Sequence, residues 1–227
     1  MLQTSPLHAL RILASLMAVY VLPRALPAQD YDFSELEGFI SAHLPDFENN
    51  VAVYLFEGDA SIFTYEQAFD RDTRIPIASA SKWIAAGVIL AVAEAGYFDL
   101  DDPISRYVDA FDRPDKREIT IRQGFSMTAG MVPKNVLENG LARNPAYTHE
   151  RSVELIAERV EVVHTPGEVI YYYGSGMQAA GLAAVHATGM ADWQAVADHF
   201  LLGPMGMTDT AFTAFLPNPA VAGGVET

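Results

Sequence analysis

The chain has 227 residues, half of them hydrophobic and 11% aromatic. That is long enough for one sizeable core, or one domain with a small lobe, and argues against global disorder. A formal charge of −15 opposes a nucleic-acid partner, which needs clustered Lys and Arg, and the absence of cysteine removes thiol catalysis, cysteine-based zinc sites and disulfide scaffolds.

The N-terminus, "MLQTSPLHALRILASLMAVYVLPRALPAQD", carries Arg11, an apolar run over residues 12–22, then prolines and small residues. The run is too short to cross a bilayer, so no stable membrane span is expected, but it has the length of a signal-peptide core. Residues 1–28 are expected to be a signal peptide cleaved after Ala28, directing export to the periplasm or the medium and leaving residues 29–227 as the functional domain. The alternative is an N-terminal core helix or a misplaced start codon.

Phe33, Leu36, Phe39, Ile40 and Leu44 recur at helical intervals in "DFSELEGFISAHLPDF", with Ser34 as a candidate N-cap. Two β-rich runs over residues 51–56 and 61–69 follow, joined through "EGDA" as a hairpin. Two strands alone do not make a stable sheet, so they call for further strands or a helix.

From residue 80 the chain reads as helical. "ASKWIAAGVILAVAEAG" is apolar nearly all round and is expected to be buried on most faces, ending at Gly96. The mixed-sign run "FDLDDPISRYVDAFDRPDKREI" reads as a solvated surface segment closing on a strand-like "REI". "TIRQ" matches a capping box and opens another helix. Further helices are expected over residues 151–160, 177–189 and 192–202, with Pro166-Gly167 as a break. The six histidines are scattered, with no H-E-x-x-H and no pair at i and i+4, so neither a metal nor a cofactor is expected.

The stretch "IPIASASKWIAAGVIL" holds the chemistry. A serine hydroxyl is a poor nucleophile unless a base lies within hydrogen-bond reach. Residues three apart on a helix share a face, so Ser79 can meet Lys82 whereas Ser81 is aimed elsewhere. A lysine serves as base only when neutral, a form favoured by the positive end of a helix and by apolar neighbours such as Trp83, Ile84, Ala85 and Ala86. The competing reading makes Ser79 an N-cap and Lys82 a snorkelling side chain, because S-x-x-K also occurs by chance.

Four stretches together extend the motif: "DTRIPIASASKWIAAGVILAVAEAGYFDLDDPISRYV", "ITIRQGFSMTAGM", "HTPGEVIYYYGSGMQAAGLAAVHATG" and "LLGPMGMTDTAF". In this order the sequence resembles the serine β-lactamase and penicillin-binding protein superfamily, nearest its class C β-lactamase-like branch with family VIII-type carboxylesterases, transesterases and D-amino-acid peptidases. The resemblance implies an α+β, β-lactamase/transpeptidase-like fold. It implies Ser79 as nucleophile, Lys82 as its partner and a tyrosine from a Y-x-[NS] element. Of Tyr171, Tyr172 and Tyr173, only Tyr173 has a polar residue two positions on. Tyr173 is therefore expected to share the proton with Lys82, Ser175 to face substrate or orient the lysine, and Tyr171 and Tyr172 to pack. The backbone N–H of Ser79 would supply one oxyanion donor.

The family's third element, K-[ST]-G or H-x-G on a later strand, has no counterpart, since no Lys or His here is followed by Gly two positions on. The domain is accordingly expected to be C-terminally truncated, lacking its last sheet strands and mostly helical behind the N-terminal β-hairpin. The resulting expectation is a serine hydrolase that forms an acyl-enzyme at Ser79 on a small-molecule or peptide substrate, an ester, amide or β-lactam, with a lean toward esterase or peptidase chemistry. The alternative is a non-catalytic short form that serves as a binding module. An α/β-hydrolase is not supported, because neither "YYYGSGM" nor "GFSMTAG" is G-x-S-x-G.

Overall fold

A computed structural model describes residues 31–213 and 224–226. Contacts divide the chain into a unit ending at Asp72 and a unit starting at Thr73. The proposed leader lies outside the described residues.

In the first unit, helix α1 (Ser34–His43) is followed by the hairpin of β1 (Val51–Glu57) and β2 (Ala60–Gln67). The hairpin turns over Gly58 and Asp59, and a bulge between Leu55 and Phe56 shifts its register. Ser34 does not cap α1 through its side chain. Ser34 is the first helical residue, its backbone N–H donates to the Asp32 carboxylate at 3.0 Å, and Phe33 occupies the N-cap position. The Phe33 and Phe63 rings, 5.0 Å apart, pack the helix start onto the hairpin.

The second unit is largely helical. A 3₁₀ turn (Ala78–Ala80) runs into α2 (Ser81–Glu94), followed by α3 (Ile121–Phe125), β3 (Met131–Val132), α4 (Val136–Gly140), α5 (His149–Arg159), β4 (Glu161–Val162), α6 (Ser175–Thr188) and α7 (Trp193–Ala197). A π turn (Asp198–Leu202) and the pair β5 (Ala211–Thr213) and β6 (Gly224–Glu226) complete it.

Helix α6 is the centre of this unit. Nearly all its inward residues are small, among them Gly176, Ala179, Ala180, Ala183 and Ala184, so its neighbours approach closely. The tightest approach is at α3, where a Cβ on Gly124 would meet the Gly176 carbonyl oxygen at 2.7 Å. Only glycine fits there, and this contact fixes the start of α6.

Helix α2 buries Ala85, Val88, Ile89 and Val92, but Trp83 is 86% and Leu90 56% exposed. It is thus buried along one stripe rather than on most faces. The mixed-charge segment also departs from expectation. Phe98, Ile104, Val108, Phe111 and Ile119 all enter the core, while the charges pair locally: Arg106 with Asp102 at 2.9 Å and Arg122 with Asp101 at 2.7 Å. The "REI" stretch forms no strand, and only Thr120 makes a bridge, to Pro103. Thr120 and Gln123 do form the expected capping box.

Candidate active site

Ser79 sits in the 3₁₀ turn that leads into α2, three residues before Lys82. Lys82 Nζ donates to Ser79 Oγ at 2.8 Å, and the Ser79 hydroxyl makes no capping bond to the helix. The residue before the serine, Ala78, has φ +45°, a left-handed conformation costly for any residue with a Cβ. The Ser81 hydroxyl donates to the Ala78 carbonyl at 2.6 Å and so braces that turn. The side chain aimed away from Lys82 therefore supports the backbone that presents Ser79.

The phenol that joins this pair is Tyr172. Hydrogen bonding with Ser79, then with Lys82, and the nearby ammonium charge hold its hydroxyl below the ordinary phenol range. The lysine nitrogen lies 5.1 Å from the centroid of its ring. Tyr173, expected in this role, is placed elsewhere: its hydroxyl donates to the Glu138 carbonyl at 2.6 Å, and burial pushes its phenol up. Ser175 is wholly buried at the first residue of α6, and its Oγ has no hydrogen-bond partner at bonding distance. Ser175 is not among the residues that line the cavity beside Ser79. The requirement of a polar residue two positions after the tyrosine pointed to Tyr173, whereas the ring beside Ser79 and Lys82 is Tyr172, whose second neighbour along the chain is Gly174, the N-cap of α6.

The cluster opens into a cavity of about 710 Å³ lined by Ser79, Lys82, Tyr172, Met177, Trp193 and Phe212 among others. That is the size of a small-molecule site. His149 lines the same cavity. Its Nε2 faces the Gln178 carbonyl at 2.8 Å, and burial lowers its pKa, so the ring is neutral at pH 7. Among the described residues no group of three or more His, Asp or Glu could hold a metal, and no helix is long and apolar enough to cross a membrane.

A helical unit that carries a Ser–Lys–Tyr cluster at the mouth of a cavity has the architecture of β-lactamase/transpeptidase-like folds. The β-lactamase family model matches residues 49–225, and the chain belongs to that family. It is 27% identical over 143 residues to protein flp of Staphylococcus aureus, covering 62% of this chain and 28% of flp. Among solved structures, a β-lactamase-like protein from Bacteroides dorei is 30% identical with TM-score 0.71, covering 87% of this chain and 60% of the other. The hydrolase EstCE1 is 20% identical with TM-score 0.68, covering 80% and 54%. A penicillin-binding protein homologue from Pyrococcus abyssi is 19% identical with TM-score 0.67, covering 80% and 45%. The last two show likeness of fold. The chain spans 28% of the curated relative and between 45% and 60% of these solved chains.

Proposed function

We propose that this chain is a serine hydrolase that acts on an ester or amide through an acyl-enzyme at Ser79. The observation that carries the reading is the 2.8 Å contact from Lys82 to Ser79, with the Tyr172 phenol drawn down by both groups. A phenolate held beside an ammonium is a competent general base, and the two titrate as a coupled pair.

Ser79 Oγ attacks the carbonyl carbon while its proton passes to the Tyr172–Lys82 pair, and a new C–O bond forms. The tetrahedral oxyanion is met by the Ser79 backbone N–H. Collapse breaks the bond to the leaving group, which takes the proton back from the pair. Water then attacks the acyl-enzyme, its proton follows the same route, and Ser79 is regenerated with release of the carboxylic acid. EstCE1 is described as a hydrolase with promiscuous acyltransferase activity, and a further structure of this fold is a D-amino acid amidase from Ochrobactrum anthropi. Both chemistries agree with this scheme. The apolar run over residues 12–22 supports export as the setting in which it operates.

Incubation with a fluorophosphonate probe tests the assignment. Covalent labelling of the wild-type chain that disappears in Ser79→Ala is expected. Labelling that persists in Ser79→Ala rules out the nucleophile, and a wild-type chain that neither labels nor hydrolyses activated esters favours a binding module.

A further inference from the structure

The cavity does not stop at the reacting groups. Along α6 it is lined by Gly174, Met177, Gln178 and Gly181, and Trp193 and Phe212 also line it. Seven positions separate Gly174 from Gly181, roughly 10 Å along a helix that rises ~1.5 Å per residue. From the other side α2 contributes Ala85, one turn beyond Lys82.

This arm differs in character from the mouth. Ala85, Leu141 and Gly181 are buried, and Trp193 and Phe212 meet edge to face with centroids 5.6 Å apart. No Asp or Glu lines the cavity, whose charged lining residues are Lys82 and Arg143, and His149 stands in the wall as a neutral ring whose Nε2 is already engaged. At the mouth, by contrast, Ser79 is exposed and Tyr172 is 66% exposed.

On the reading that Ser79 is acylated, we propose that the arm along α6 is an acyl-chain groove that receives an unbranched aliphatic acyl group, with Gly181 setting the permitted length. A leaving group must depart before water attacks, so it needs the open mouth. The sheltered arm suits the part of the substrate that stays covalently attached. With C–C bonds of ~1.5 Å projecting roughly 1.3 Å each along an extended chain, 10 Å accommodates about eight carbons. A Cβ at Gly181 would meet His149 Cε1 at 3.5 Å and the Trp193 ring at 3.6 Å, ordinary contacts, so alanine fits there. A longer side chain would project between those two walls and shorten the groove.

The test is a series of p-nitrophenyl esters with acyl chains from two to twelve carbons and a constant leaving group. In the wild type kcat/KM is expected to rise about two- to four-fold per added methylene up to about eight carbons and then level off. Gly181→Leu should lower octanoate turnover at least about ten-fold relative to acetate turnover, whereas Trp193→Ala should move the optimum to longer chains. Should Gly181→Leu fail to fold, Gly181→Ala should still lower octanoate turnover about two- to four-fold relative to acetate. A flat wild-type profile, or a Gly181 variant that scales all esters equally, overturns the groove.

Binding separates this proposal from the hydrolase reading. The chain has two tryptophans, so Ser79→Ala combined with Trp83→Phe leaves Trp193 as the fluorophore for titration with methyl octanoate and methyl acetate. Octanoate binding at least about ten-fold tighter supports the groove even where no hydrolysis is seen, an outcome that counts against the Ser79 reading alone. Equal binding of the two esters overturns the groove.

Discussion

Tyr172 and Tyr173 are adjacent, yet their hydroxyls titrate in opposite directions: hydrogen bonds from Ser79 and Lys82 draw the first down, and burial pushes the second up. Replacing each by phenylalanine therefore separates chemistry from support. Tyr172→Phe should lower kcat about 10²- to 10⁴-fold and remove the acid limb of the pH profile, which in the wild type lies below the ordinary phenol range. Tyr173→Phe should leave kcat within a few-fold and reduce stability by about 1 kcal/mol, since the Glu138 carbonyl loses its donor. A steady-state pH series and a urea melt on both variants check this, and equal kinetic losses would count against the assignment. Ala78 offers a second test. With φ at +45° its Cβ is strained, so Ala78→Gly should raise unfolding stability by about 1 kcal/mol. If the strain aims Ser79, the same change should lower kcat.

The short helix α3 shows how one element positions another. Its capping box was legible in "TIRQ", because Thr and Gln three apart satisfy two orphan amides reciprocally. Its contact with α6 was not legible, since nothing in "RQGF" or "GSGM" says that two glycines 52 positions apart will touch. Gly124→Ala forces a Cβ against the Gly176 carbonyl, so a loss of about 1 to 3 kcal/mol is expected in chemical denaturation. Activity should fall as well, because Tyr172 lies three residues ahead of α6. Thr120→Ala, at the other end of α3, should cost about 1 kcal/mol with little kinetic effect. The mixed-charge segment makes the complementary point. Its alternating signs read as solvent-facing, yet five large apolar side chains enter the core from single 3₁₀ turns and the irregular chain between them, too short for a periodicity from which to read that burial.

Across the whole molecule, stability should fall over two pH windows as acid is added. Burial lowers the His149 pKa, so the unfolded chain takes up that proton first, at about pH 6.5, and stability is lost as pH falls from there through the folded value. The Asp102 carboxyl is held low by the Tyr107 hydroxyl at 2.7 Å, then by the Asp99 backbone amide and Arg106. Its contribution is complete above about pH 4 and disappears below, as pH drops through its depressed value. Melting temperatures from pH 8 to 3 should fall in both windows, and His149→Gln should remove only the upper one. A flat profile between pH 7 and 5 would contradict the buried neutral ring.

Local rules carried the parts of this protein that depend on neighbours in the chain. Ser79 and Lys82 share a turn, and their spacing alone places amine and hydroxyl together. The capping box, the hairpin and the helix end at Gly96 follow for the same reason. The tyrosine that meets Ser79 and Lys82, the burial of Ser175 and the cavity beside the site depend on how α2, α3 and α6 pack. Those helices are separated by long stretches of sequence, and their approach is decided by glycine contacts and core filling that only the assembled chain brings together.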